Sequence, residues 1–128
     1  MGSGFHAVLL VDDSADTLEM YALGLSFAGY RPLTASDRES ALVQLKKEHP
    51  DAIVTDLHFL GRHSGWELIE QIRNDPSTRR IPVVVLTGHA DPMIAMKAQQ
   101  VGCVAVVTKP CLPDELASVL RRVLPAVA

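Results

Sequence analysis

A chain of 128 residues, 48% hydrophobic and 21% charged, is long enough for one domain with its own core and too apolar to be disordered. Its net charge of −3 offers no basic surface for non-specific nucleic-acid binding, and it contains neither a membrane-spanning apolar run (roughly 18 residues) nor a basic-then-apolar signal peptide. Two cysteines, Cys103 and Cys111, are too few for a disulfide framework, so both read as small buried or half-buried thiols in a reducing, cytoplasmic setting.

In chain order, residues 1–5 read as a cloning remnant or disordered start, and 6–125 as a single domain. His6–Val11 is the first strand. Ser14–Ala28 has a helical pattern, with Ser14 as N-cap and Gly29 as stop. Arg31–Thr34 is a short strand whose Pro32 suits a sheet edge. Ser36 and Glu39 form a capping-box pattern opening a second helix, which runs to about His49 before Pro50. Ala52–Thr55 is the third strand, and Ser64–Asn74 a helix halted by Asp75-Pro76. Pro82–Leu86 is the fourth strand. Asp91–Val101 is a helix with Asp91 as N-cap, Pro92 at its first position and Gly102 at its end. Val104–Thr108 is the fifth strand and Pro113–Leu124 the fifth helix. This (βα)5 alternation predicts a parallel sheet covered by helices on both faces, with the apolar third, fourth and fifth strands central.

The chemistry concentrates where the apolar runs stop. Asp12 and Asp13 follow HAVLLV, Asp56 follows AIVT, Thr87 follows PVVVL and Lys109 follows VAVVT. These are carboxyl ends of strands, the edge at which parallel α/β sheets bind ligands. Three carboxylates gathered there stay ionised only with a cation among them, and the all-oxygen set suits Mg²⁺. An aspartate beside Mg²⁺ can attack phosphorus, and phosphoryl transfer needs chiefly positioning and charge neutralisation. Lys109 supplies a second positive centre, Thr87 a hydroxyl donor, and Gly88 room for a donor to approach. Taken singly, an Asp-Asp pair is often a turn or a helix cap, and Thr-Gly or Lys-Pro says little. Coincidence does not account for all of them falling at strand ends.

The ordered set VDDS, VTDL, VVVLTG and VVTKP resembles the receiver domain of two-component response regulators, over essentially the whole chain. The resemblance implies a doubly wound, flavodoxin-like five-stranded parallel sheet of order 2-1-3-4-5. It implies that Asp56 accepts a phosphoryl group from a histidine kinase or histidine phosphotransfer protein. Asp13 and Asp56 would coordinate Mg²⁺ directly, Asp12 through water, and the His58 main-chain carbonyl would be a further ligand. Lys109 would pair with the phosphoryl group, Thr87 would swing toward it, and Lys109-Pro110 would be cis. Such a domain assists its own phosphorylation and dephosphorylation without being a turnover enzyme.

Three features depart from that pattern. The family usually has Met-Pro at the third and fourth positions after the acceptor; here these are Phe59 and Leu60, and the following glycine, Gly65, comes one residue late. The aromatic often found three residues before the lysine is Val106, so the usual Thr–aromatic switch lacks its aromatic half. His58 and His89 occupy positions that tune phosphoryl lifetime in the family; they read equally as ordinary loop histidines or as bulky groups altering water access.

The first helix is apolar nearly all round: Met20, Leu23 and Phe27 fall on one side and Leu18, Tyr21 and Leu25 on another. That excess marks an exposed patch, and in the family helix one docks the kinase's histidine-bearing helices. Scattered surface leucines are the ordinary alternative. Helix five has one stripe, Leu116, Val119, Leu120 and Val123. The leading reading is a phosphorylatable receiver, alone or as the input module of a larger regulator, with no direct nucleic-acid or membrane contact. A receiver-like interaction domain working without phosphorylation is the alternative that Val106 and the altered loop favour. An aspartyl-phosphate phosphatase usually carries a second Asp where His58 stands, and a nucleotide binder would need the Gly-rich loop that DDSAD does not provide.

Overall fold

Strands and helices alternate throughout the computed structural model, which describes residues 6–58, 64–89 and 91–125. The order is β1 (Ala7–Val11), α1 (Ala15–Phe27), β2 (Arg31–Ala35), α2 (Arg38–Glu48), β3 (Ala52–Thr55), α3 (Ser64–Asn74), β4 (Val83–Thr87), α4 (Pro92–Gln100), β5 (Ala105–Thr108) and α5 (Pro113–Val123). All strand pairs are parallel, and the sheet order is β2-β1-β3-β4-β5. This is the doubly wound arrangement expected.

The sheet divides the core in two because successive side chains on a strand point to opposite faces. Val8, Leu10, Val54, Val84 and Leu86 pack with Leu18, Tyr21 and Leu25 of α1 and Leu116 and Leu120 of α5. Leu9, Val11, Ile53, Val83 and Val85 pack with Leu45 of α2, Leu68, Ile69 and Ile72 of α3, and Ala98 of α4. β1, β3 and β4 are buried throughout, which explains their unbroken apolar runs.

Local signals act largely as expected. Ser14 caps α1, accepting from the Thr17 N–H, and Gly29 leaves the helix at φ +94°. Asp91 caps α4 with Pro92 at its start, and Gly102 ends it at φ +82°. Three details differ. β5 is not central; it forms the edge opposite β2, and its residues are half-buried or exposed. α2 is capped by Asp37 rather than Ser36, because Asp37 accepts from the Ser40 N–H while the Ser40 hydroxyl engages the Asp37 backbone. β4 runs one residue further than the apolar run, so Thr87 is its last residue and pairs with Thr108.

The amino edge of the sheet is heavily tied. Arg73, near the end of α3, donates from Nε to the Val101 carbonyl (3.1 Å), from Nη1 to those of Arg79 (2.7 Å) and Ile81 (2.9 Å), and from Nη2 to that of Gly102 (2.9 Å). Ala7 and Asp51 exchange bonds between the starts of β1 and β3: Ala7 N–H to Asp51 Oδ2 at 2.7 Å and Asp51 N–H to the Ala7 carbonyl at 2.8 Å. Both cysteines are free, and burial, opposed by Arg73, pushes the Cys103 thiol up to about 11.

Candidate functional site

At the carboxyl edge, the strand ladders continue one residue past the strands and carry the polar groups with them. The backbone N–H of Asp12 donates to the Ala35 carbonyl (3.1 Å), that of Asp56 to Val11 (3.0 Å), and that of Lys109 to Thr87 (2.8 Å). The three side chains are therefore carried on backbone held by the sheet ladder rather than on free loops.

They meet there. Lys109 Nζ lies 2.8 Å from Asp12 Oδ2 and 3.2 Å from Asp56 Oδ2, bridging the ends of β1 and β3 from beyond β5. The other oxygen of Asp12 accepts from the Ser14 N–H (2.9 Å), and that of Asp56 from the N–H groups of Leu57 (2.7 Å) and His58 (3.4 Å). Asp12 is buried, Asp56 partly buried and Asp13 exposed, and one oxygen from each lies within 4.8 Å of the others. Three carboxylates and one ammonium leave the cluster with a formal charge of −2. Burial by itself would pull the Lys109 ammonium down. The hydrogen bonds and charges of Asp12 and Asp56 outweigh it and hold the group above the ordinary lysine value.

The remaining predicted residues lie around this cluster. Thr87 is fully buried and its hydroxyl accepts from the His89 N–H at 3.3 Å. His58 is half-buried beside Asp56, and His89 is exposed. Lys109-Pro110 is cis. Val106 pairs with Val85 and packs, half-buried, on the α2, α3 and α4 side of the sheet. The altered segment containing Phe59 and Leu60 lies outside the described residues. Gly65 at its far end is informative: a Cβ there would collide with the Asp56 carbonyl oxygen and sit 2.5 Å from Leu57 Cα, while the Gly65 N–H donates to the Leu57 carbonyl (3.1 Å). Helix α3 thus abuts the backbone of Asp56 directly, and the late glycine makes this approach possible.

One contact escapes sequence reasoning. The hydroxyl of Tyr21 on α1 donates to the carbonyl of Cys111, two residues past Lys109, at 2.6 Å. No local spacing relates residues 90 apart. Of the apolar residues on α1, Leu18, Tyr21 and Leu25 enter the core, whereas Met20, Leu23 and Phe27 are 46%, 59% and 85% exposed, the patch that the excess of apolar residues predicts.

The fold and the site together are thus a doubly wound α/β sheet with clustered carboxylates and a lysine at its carboxyl edge. The chain matches the response regulator receiver domain model over residues 8–121 and belongs to that family. It is 34% identical over 122 residues to the phosphate regulon transcriptional regulatory protein PhoB of Escherichia coli (strain K12), covering 92% of this chain and 53% of PhoB. It is 35% identical over 117 residues to PhoB of Pseudomonas aeruginosa, covering 91% and 51%. The chain spans about half the length of these relatives. Among solved structures it is similar to the chemotaxis response regulator CheY4 of Vibrio cholerae, with 31% identity, a TM-score of 0.85, and coverage of 94% and 99% of the two chains. Among the described residues, no helix is long and apolar enough to cross a membrane.

Proposed function

We propose that residues 6–125 form a single receiver domain that acts as a phosphoryl-accepting switch, with Asp56 as the acceptor. The observation that carries this reading is the placement of Lys109 Nζ between Asp12 Oδ2 and Asp56 Oδ2 in a cluster of formal charge −2. A structural ion pair would need one carboxylate; the surplus of two suits a divalent cation and then an anionic phosphoryl group.

The donor set fits Mg²⁺, being all oxygen and convergent. Asp13 and Asp56 would hold it directly, Asp12 through water, with the His58 carbonyl as a further ligand. Once bound, it supplies positive charge that offsets the charge on the phosphoryl oxygens. The chain's own residues do the rest. A carboxylate oxygen of Asp56 bonds to phosphorus as the bond to the donor's leaving group breaks, and the leaving group takes that electron pair. Lys109, already 3.2 Å from Asp56, shifts its donors to the new phosphoryl oxygens. Thr87 gives up the His89 contact and donates its hydroxyl to one of them. Hydrolysis of the aspartyl phosphate resets the domain, so it assists its own chemistry without turning over an external substrate.

The donor we propose is a histidine kinase or histidine phosphotransfer protein in the cytoplasm, docking on α1 through Met20, Leu23 and Phe27. The half of the PhoB-type relatives that this chain does not span is the natural place for an output domain, so nucleic-acid contact is not assigned to this module. Val106 at the usual aromatic position favours a second reading, a receiver-like interaction domain independent of phosphorylation.

Intact mass after incubation with Mg²⁺ and a small-molecule phosphodonor separates the two. One added phosphoryl group, absent in Asp56→Asn and without Mg²⁺, is expected. No adduct and no Mg²⁺ binding would overturn the switch and leave the interaction domain.

A further inference from the structure

We infer that Tyr21 is a positioning residue for Lys109, acting through its hydrogen bond to the Cys111 carbonyl. The inference rests on the role proposed above for Lys109 and extends it to a residue outside the acidic cluster.

Lys109 is anchored on its amino side by the sheet, through the 2.8 Å bond from its N–H to the Thr87 carbonyl. On its carboxyl side the chain leaves the sheet at once. Pro110 has no N–H with which to fasten the turn. A groove of about 680 Å³, lined by Thr17, Met20, Tyr21, Lys109, Cys111 and Leu112 among others, runs along this segment, so packing does not close over it on that side. Against that open flank the Tyr21 hydroxyl reaches from α1 to the Cys111 carbonyl at 2.6 Å, a short bond from a side chain that is only 4% exposed. A second contact braces the same two elements. Gly24, one turn further along α1, lies so close to Pro113 that a Cβ on it would overlap the proline ring. Residues 111 and 113 are thus both referenced to α1, whose position is set by the core residues Leu18 and Leu25.

The bond is specific to the phenol. Burial, foremost, and then the neighbouring Cys111 push the Tyr21 phenol above its ordinary value, so it remains a neutral donor at working pH. Tyr21→Phe keeps the ring in the core and strips one donor from a buried carbonyl. The turn then gains freedom, and with it the Lys109 side chain two residues back. Asp12 and Asp56 are held from β1 and β3 and do not share that anchor.

The experiment uses the chain with Mg²⁺ and acetyl phosphate, comparing wild type, Tyr21→Phe, Lys109→Ala and the double variant. Phosphorylation rate constants come from intact mass, Mg²⁺ affinity from calorimetry, and folding from thermal unfolding. Tyr21→Phe is expected to unfold cooperatively, to slow phosphorylation roughly threefold to tenfold, and to leave Mg²⁺ affinity within about twofold. In the Lys109→Ala background the same substitution is expected to change nothing, because its route to the chemistry is gone. A wild-type rate in Tyr21→Phe overturns the inference. So does a Mg²⁺ affinity that falls in step with the rate, or an undiminished slowing in the Lys109→Ala background. Lys109→Ala reacting as fast as wild type instead overturns the proposed role of Lys109, and this inference with it.

Discussion

Replacing Gly65 by alanine tests how α3 is fitted to the end of β3. The added methyl would lie 2.5 Å from Leu57 Cα and 3.0 Å from the Leu57 carbonyl carbon, and closer still to the Asp56 carbonyl oxygen. Ordinary contacts between such atoms are about 3.5–4.0 Å, so roughly 1 Å of separation is missing. Every neighbour is backbone, and none can rotate away as a side-chain tip would. The start of α3 has to retreat, stretching the 3.1 Å bond from the Gly65 N–H to the Leu57 carbonyl. Overpacking of this kind costs about 1–3 kcal/mol, and a weakened partly buried hydrogen bond about 1 more, so we expect a loss of about 3 kcal/mol. Urea unfolding followed by circular dichroism would read this as a lower midpoint at unchanged slope, and thermal unfolding as a fall of roughly 10 °C. Because Asp56 is one of the backbones displaced, phosphorylation should slow as well. A loss below about 0.5 kcal/mol would refute the reasoning, since it would mean that α3 and the backbone after β3 are not in contact.

Further outcomes follow from other contacts. Arg73→Met keeps the aliphatic stem but leaves the partly buried Ile81 and Val101 carbonyls unpaired, and should cost about 2–3 kcal/mol in urea unfolding. Asp13→Asn should raise the thermal midpoint in the absence of divalent ions by relieving like-charge repulsion, and should shrink the further rise that Mg²⁺ gives wild type. Lys109 is held above its ordinary value of 10.5, so its ion pairs contribute fully below that value and are lost as pH rises through the folded value. Tyr21 titrates with the same sign, so the alkaline loss of stability should persist, reduced, in Tyr21→Phe. Leu25→Ala and Ile72→Ala lie in clusters on opposite faces of the sheet, and their unfolding losses, about 2–5 kcal/mol each, should add in the double variant.

Much of the fold is legible because β1, β3 and β4 are buried on both faces and therefore appear as unbroken apolar runs. The same rule misplaces β5. Its run VAVV is as apolar as the others, yet it closes the sheet with residues that are only half-buried or exposed, because an apolar run reports facing helices and not whether a further strand lies alongside. The start of α2 shows a second limit: Ser36 and Asp37 are both good caps, and a reciprocal bond with Ser40, invisible in composition, decides for Asp37. The convergence of Asp12, Asp13, Asp56 and Lys109 follows from strand ends alone, since a parallel sheet brings them to one edge whatever the helices do. That Lys109 bridges Asp12 and Asp56 does not follow, because it depends on side-chain reach past β4 to Asp56 and past β4 and β3 to Asp12. The pairing of Tyr21 with Cys111 is hidden for a plainer reason, the 90 residues between them.

Arg73 gathers carbonyls from the α3–β4 and α4–β5 connections onto one planar group, and Asp51 joins the starts of β1 and β3 nearby. The two ends of the sheet are therefore mechanically unlike. One is clamped by a cation that no change at the carboxylates can neutralise. At the other, contacts such as that between Thr87 and His89 compete with whatever arrives there. Under the proposed switch, a displacement that starts at Asp56 would meet a base tied by Arg73 and Asp51 and would be directed along the rim of loops and helix starts. On that reading the clamp would turn a local change of charge into a change of surface shape.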